Sequence, residues 1–142
     1  MIAQEEDVKD QYQDVFVLIA NASNDYYELR TEMFKLSNTL NIEIDTMGRG
    51  FNKSKNLICL SEDDEDEIYA GDYFPRRSIS NKLSLEYLTL YIELDDSEKN
   101  TIALVASICE KQDSAIEVLN RVQITNPNAY IIEASIFMGC IH

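Results

Sequence analysis

Apolar residues along the chain follow a repeated order of strand and helix patterns. Residues 15–20 and 101–108 are continuous runs of apolar, mostly β-branched side chains, typical of strands buried on both faces. Each run precedes a stretch with apolar residues at three- and four-residue spacing, residues 26–40 and 112–124, which predicts a helix. A closing strand is predicted for each unit, at residues 42–45 and 129–137.

Two further features of the sequence are the candidate cap of the first predicted helix and the similarity of the two units. Ser23 or Asn24 is expected to cap the first helix. When Leu18 is aligned with Leu104, apolar character is kept along both units, which indicates an internal βαβ duplication. The alternative is chance, because any two βαβ units share such a pattern.

The segment between the two units, residues 48–100, has no counterpart in either unit. It contains strand patterns at residues 56–61 and 83–92 and a turn at residues 95–98. We therefore expect a polar tail at residues 1–14 and one α+β domain at residues 15–142, with βαβ units at 15–47 and 101–138. Two βαβ-like units predict an antiparallel or mixed sheet with both helices on one face, most simply in the split-βαβ, ferredoxin-like layout.

The second unit resembles the SPOR domain, and the first unit resembles it more weakly. The residues that carry the resemblance are Leu104-Val105-Ala106-Ser107, Ser114-Ala115, Pro127-Asn128-Ala129-Tyr130-Ile131-Ile132 and, in the first unit, residues 17–23. The resemblance implies β-α-β units around a four-stranded sheet. It also implies binding of peptidoglycan strands that lack stem peptides, at bacterial division sites.

The charge balance is the clearest compositional signal. The chain has 142 residues with 26 Asp and Glu against 12 Lys and Arg, which gives a net charge of −14. Such a surface repels nucleic acid and anionic membranes and attracts basic proteins. Solubility alone is the plainer interpretation. The sequence has no apolar stretch near the length of about 18 residues that a membrane span needs.

Two charged segments of the middle region are candidate binding sites. An unbroken acidic run is a candidate for docking a basic partner, with a solvated loop or a Ca²⁺ loop as alternatives. The run consists of Glu62, Asp63, Asp64, Glu65, Asp66 and Glu67. Arg76 and Arg77 form a small basic spot that either pairs with the acidic run or holds an anionic ligand.

Three tyrosines are candidates for stacking against a glycan. If Tyr87 and Tyr91 share a sheet face with Tyr130, they form an aromatic platform on the open face of the sheet. The alternative is that these side chains belong to the core.

The reactive side chains favour binding over catalysis. The cysteines, Cys59, Cys109 and Cys140, include no C-x-x-C pair, so we expect no metal site and no cofactor. Cys59 is expected to be a buried thiol, and Cys109 and Cys140 are a candidate disulfide. The single histidine, His142, ends the chain, so we expect no catalytic residues and no enzymatic activity.

The N-terminal residues bear on where in the cell the protein is located. Residues 1–7 have neither a basic nor an apolar region, so they are not a signal peptide as they stand. They are either the remnant of a processed signal peptide or an ordinary polar tail. We expect a periplasmic or secreted protein, with a cytoplasmic location as the alternative.

Two functions follow from these features. The first is a SPOR-like binding protein of the bacterial cell envelope with a peptidoglycan glycan as its ligand. The second is an acidic inhibitor or immunity protein that neutralises a basic toxin or enzyme. The sequence leaves the identity of the ligand and the oligomeric state open.

Overall fold

The structure, a computed structural model, describes residues 12–63, 65, 70–76 and 79–137. The strands and helices are β1 Tyr12–Ser23, α1 Tyr26–Leu40, β2 Gly50–Asn52, β3 Leu57–Cys59, β4 Ser84–Tyr87, β5 Ile102–Cys109, α2 Gln112–Val122 and β6 Tyr130–Phe137. Short 3-10 helices cover Leu88–Leu90 and Asp96–Glu98.

Four strands form the main sheet in the order β4-β5-β1-β6, and β2 and β3 form a separate hairpin. All neighbouring strands of the main sheet are antiparallel. The strands β1 and β4 are therefore parallel to each other with β5 between them, and β5 and β6 are parallel with β1 between them. Because α1 joins the first pair and α2 the second, this is the split-βαβ, ferredoxin-like layout that the sequence predicts.

The helices pack on one face of the sheet, which confirms the predicted layering. The buried residues of this helix face are Leu18, Ala20, Leu104 and Ala106 from the sheet, Leu29, Met33 and Leu36 from α1, and Val118 and Val122 from α2. On the opposite face, parts of residues 79–94 cover the sheet, and Leu88 and Tyr91 join the cluster that contains Val17 and Val105.

The helix α1 begins at a different cap from the predicted one. The Asp25 carboxylate accepts a hydrogen bond from the Glu28 N–H at 3.2 Å, so Asp25 is the N-cap and not Ser23 or Asn24. The Ser23 hydroxyl instead accepts from the Asp25 N–H at 3.0 Å. The helix ends at Asn41, whose left-handed backbone, with φ of 56°, lets its N–H reach the Ser37 carbonyl.

Two predicted strands differ from the observed ones. Residues 42–45 form no strand, because Ile44 makes only an isolated parallel bridge to Leu83. The strand predicted at residues 83–92 ends at Tyr87, where the chain turns into a 3-10 helix and passes over the second face of the sheet. The second βαβ unit forms as predicted, whereas β4 closes the first unit from within the middle segment. β1 begins at Tyr12, so it also includes the end of the predicted polar tail.

Candidate functional site

The structure separates the three tyrosines that the sequence suggests as a glycan platform. Tyr87 is 9% exposed and belongs to the core under the helices, and its hydroxyl accepts a hydrogen bond from the Ile58 N–H at 3.0 Å. Tyr91 is 8% exposed and belongs to the core on the opposite face. Tyr130 is 41% exposed. The condition for the platform, one shared and open face, is therefore not met.

Arg76 is buried rather than displayed for a ligand. It is 3% exposed, and its guanidinium donates to the carbonyl oxygens of Ser80 and Lys82 and to the hydroxyls of Ser80 and Ser84, at 2.8 to 2.9 Å. Removal from water lowers the pKa of this guanidinium. These hydrogen bonds hold residues 80–84, which lead into the start of β4, in place. Arg77, the other half of the predicted basic spot, lies outside the described residues.

The described residues of the acidic run lie in a segment whose ends are joined by backbone hydrogen bonds. The Leu60 N–H donates to the Asp72 carbonyl at 3.0 Å, and the Gly71 N–H donates to the Leu60 carbonyl at 3.1 Å. Gly71 has φ of 79°, a conformation that favours glycine. We call the described residues of this segment, residues 61–63, 65, 70 and 71, the acidic loop. Three of its carboxylates, those of Glu62, Asp63 and Glu65, are described and exposed; Asp64, Asp66 and Glu67 lie outside the described residues.

A cleft of about 490 Å³ opens between the acidic loop and the β2–β3 hairpin. We call it the acidic cleft, because Glu62 and Asp63 form one side of it. Its other lining residues are Gly48, Gly50, Phe51, Asn52, Cys59, Leu60 and Ser61. The lining residues therefore include two acidic residues and a phenylalanine, a combination that suits a side chain with an apolar stem and a cationic head.

Aromatic rings next to the cleft already hold one of the protein's own cations. Phe51 stacks on Tyr26 with ring centres 4.5 Å apart and meets the edge of Tyr27 at 5.7 Å. The Lys53 ammonium lies 5.2 Å from the centre of the Tyr27 ring. The Lys55 ammonium pairs with the carboxylate of Glu62, one of the lining residues, at 3.2 Å. This part of the surface therefore binds ammonium groups both through the faces of aromatic rings and through carboxylates.

A buried ion pair fixes the position of the hairpin under the cleft. Glu86, on β4, is fully buried, and its two carboxylate oxygens accept from the Arg49 guanidinium at 2.8 and 2.6 Å. The Tyr73 hydroxyl and the Arg76 backbone N–H donate to the same carboxylate, at 2.8 and 3.1 Å. Burial alone would lower the pKa of Arg49, but hydrogen bonding and attraction by Glu86 outweigh burial and raise it.

Arg49 connects the buried ion pair to the residues that line the acidic cleft. It lies between Gly48 and Gly50, which both line the cleft, and it also donates to the carbonyl oxygens of Thr46 and Phe74 at 2.9 and 3.2 Å. Gly48 has φ of 76°, and the turn it makes brings Arg49 under the sheet edge. The sequence patterns do not mark Arg49, Glu86 or Tyr73 as functional residues. The alternating pattern of β4 predicts an exposed Glu86, and no local signal shows that both faces of that strand are covered.

The remaining candidate residues add no reactive group. Cys109 is a buried thiol whose sulfur lies 3.0 Å from the Ser107 hydroxyl. Cys59 is buried, as predicted. Cys140 lies outside the described residues, as does His142, so the disulfide stays a prediction. Within residues 12–137, as far as the structure describes them, no group of three His, Cys, Asp or Glu side chains is placed to hold a metal ion.

Comparisons with known proteins identify no family for this chain. No family model matches the chain, and no curated protein and no solved structure matches it. The resemblance to the SPOR domain therefore stays a prediction. Among the helices of the described residues, none is long and apolar enough to cross a membrane.

Proposed function

We propose that this protein is a non-enzymatic binding protein whose ligand is a basic protein, held at the acidic loop and the acidic cleft. The observation that carries the proposal is the acidic cleft itself, whose lining residues include Glu62, Asp63 and Phe51. This is the type of surface with which an inhibitor or immunity protein engages a basic toxin or enzyme.

The distribution of charge supports a basic partner. The chain has 12 basic and 26 acidic residues, and the charged residues buried in the described part are Arg49, Arg76 and Glu86. The rest of the chain therefore carries a net charge of −15. A field of this size attracts a cationic surface and raises its association rate by about 10- to 1,000-fold at low salt.

The geometry of the cleft supports recognition of individual lysine or arginine side chains. Lys55 and Lys53 already place ammonium groups against Glu62 and the Tyr27 ring. Both lysine contacts lie at the protein surface, and the Lys55–Glu62 pair is largely exposed, so each is weak and open to competition. A lysine or arginine side chain of the partner replaces Lys53 and Lys55 at little cost in free energy, because it makes the same contacts with Glu62 and the Tyr27 ring.

A peptidoglycan glycan is less well supported as the ligand. The glycan hypothesis uses an open sheet face lined by Tyr87, Tyr91 and Tyr130, and two of these side chains are buried. A pull-down with purified sacculi separates the two ligands. Retention on sacculi that survives moderate salt would favour the glycan and would count against a charge-driven protein partner.

The main experiment compares two variants that each remove three exposed negative charges. One carries Glu62→Gln, Asp63→Asn and Glu65→Gln in the acidic loop. The matched control carries Asp95→Asn, Asp96→Asn and Glu98→Gln in the exposed 3-10 helix, where no side-chain cap is lost. The partner is captured from a lysate of the source organism, and its association rate with each variant is measured by surface plasmon resonance.

The proposal expects the two variants to differ although their net charges are equal. The acidic-loop variant should associate about tenfold more slowly at low salt, and the control should change by less than about twofold. Equal rates for the two variants would show that only total charge matters and would refute the acidic cleft as the site.

A further inference from the structure

The strand β6 forms one edge of the main sheet and is long for an edge strand. It covers Tyr130–Phe137, eight residues, and among the described residues its part from Tyr130 to Ile136 pairs with β1 along one side only. Every second residue of such a strand directs its N–H and C=O groups outward. An edge of this kind is a template for a further strand.

The side chains of β6 do little to block such pairing. Natural edge strands are usually protected by lysines, prolines, bulges or short length. Between Tyr130 and Ile136 the only charged residue is Glu133, and no proline occurs there. The β1–β6 register runs without interruption from Tyr12 to Ile19, so no bulge distorts this edge.

A second acidic cleft lies directly beside this edge. Its volume is about 460 Å³, and Asp14, Phe16 and Glu133 line it together with Val15, Ala134 and Ser135. Phe16 pairs with Glu133, and Asp14 pairs with Ser135, so the two carboxylates are diagonal neighbours on the same sheet face. Both carboxylates are exposed. We call this space the edge cleft.

We propose that the outer edge of β6 binds an extended, lysine- or arginine-rich segment of a partner protein as a fifth strand of the sheet. Alternate side chains of that segment would point to the face of the edge cleft, where Asp14 and Glu133 pair with their cations. The inference rests on the proposed function, because it specifies how part of the same basic partner binds.

Charge favours a basic segment over a second copy of this chain. Two copies joined along β6 in antiparallel fashion and centred near Glu133 would bring their Glu133 carboxylates together, and each copy carries a net charge of −14. Like charges placed across paired strands are destabilising. A basic segment places opposite charges at the same positions.

The test uses two synthetic peptides with blocked ends, each as long as the eight residues of β6. The first alternates lysine and valine, and the second alternates lysine and proline, which keeps the charge but disfavours a paired strand. Amide hydrogen exchange and ¹H–¹⁵N shifts of the full chain are recorded with each peptide. The same data are collected for Asp14→Asn with Glu133→Gln and for the control Asp95→Asn with Asp96→Asn.

The lysine–valine peptide should slow exchange at alternate amides between Tyr130 and Ile136 by at least about tenfold. The lysine–proline peptide should not do so. The Asp14→Asn and Glu133→Gln variant should bind the first peptide several-fold more weakly at low salt, and the control variant should bind it unchanged.

Other outcomes would overturn the inference and are distinguishable from failure of the proposed function. Equal binding of both peptides without protection of β6 would remove strand addition but leave a charge-driven partner in place. Protection of β6 in the peptide-free chain would assign the edge to another occupant. That occupant is a second copy if sedimentation shows a dimer, or residues 1–11 if their deletion abolishes the protection in a monomer.

Discussion

The buried pair of Arg49 and Glu86 allows a sharp test of how the hairpin under the acidic cleft is held. The change is a double-mutant cycle with Arg49→Met, Glu86→Leu and the two substitutions together. Each single substitution leaves a fully buried partner without its counter-charge, and Glu86→Leu also strips Tyr73 of its acceptor. Each should therefore lower the free energy of unfolding by about 3–5 kcal/mol.

The double variant should lose less than the sum of the single losses. With both members of the pair replaced, neither is left as an ion without its counter-charge, and the two apolar side chains fill similar volumes. The expected coupling energy is about 2–3 kcal/mol. The surface pair of Lys55 and Glu62, whose side chains are 44% and 70% exposed, is the control and should give about 0–1 kcal/mol.

Urea denaturation followed by circular dichroism gives all the required free energies. Because a single loss of this size approaches the whole stability of a typical domain, the cycle is run in the presence of a stabilising osmolyte. A coupling energy of the buried pair that does not exceed that of the surface pair would contradict the burial of Arg49 and Glu86. Such a result would mean that water reaches Glu86 in solution.

Three further predictions concern single side chains and pH. Asp25→Ala removes the N-cap of α1 and should lower the free energy of unfolding by about 1 kcal/mol, as measured by urea denaturation. Tyr91→Phe removes a buried hydroxyl that has no hydrogen-bond partner among the described residues and should raise the same free energy by about 1 kcal/mol, whereas Tyr73→Phe should lower it. Burial raises the pKa of Tyr73 and of Tyr91, so these residues contribute stability in full below the ordinary tyrosine pKa of about 10. That stability should be lost as pH rises further, because the unfolded chain releases those protons first.

Each of these predictions has an outcome that contradicts it. An unchanged Asp25→Ala variant would show that the first turn of α1 finds another acceptor. A Tyr91→Phe variant that unfolds more easily would mean that the hydroxyl has a partner in solution. A stability that stays level in urea titrations from neutral to strongly alkaline pH would indicate that Tyr73 and Tyr91 are accessible to water.

The scaffold was predictable because its strands and helices have strong, long patterns. Residues 15–20 and 101–108 became β1 and β5, the two central strands, since continuous apolar runs suit strands covered on both faces. The helices followed from apolar stripes in the same way. Residues 42–45 were misassigned because a short alternating stretch fits a strand and an extended connection equally well.

The site was harder to predict, because burial depends on contacts made between distant parts of the chain. Tyr87 and Tyr91 are four residues apart but lie on opposite sides of the sheet, since a 3-10 helix carries the chain across between them. Arg49 and Glu86 meet across 37 positions in sequence. Nothing local to either residue indicates this partnership. The exposure of Glu62 and Asp63 follows from their charge, whereas the cleft beside them depends on the placement of the hairpin.

The joined base of the acidic loop has a consequence for how recognition changes over evolutionary time. Backbone hydrogen bonds between Leu60 and residues 71–72 close the loop without using any of its side chains. Replacements of the exposed residues Glu62, Asp63 and Glu65 between these points leave this closure and the buried residues of the core in place. If the proposed basic partner binds here, changes at these positions alter partner choice without any change in the scaffold.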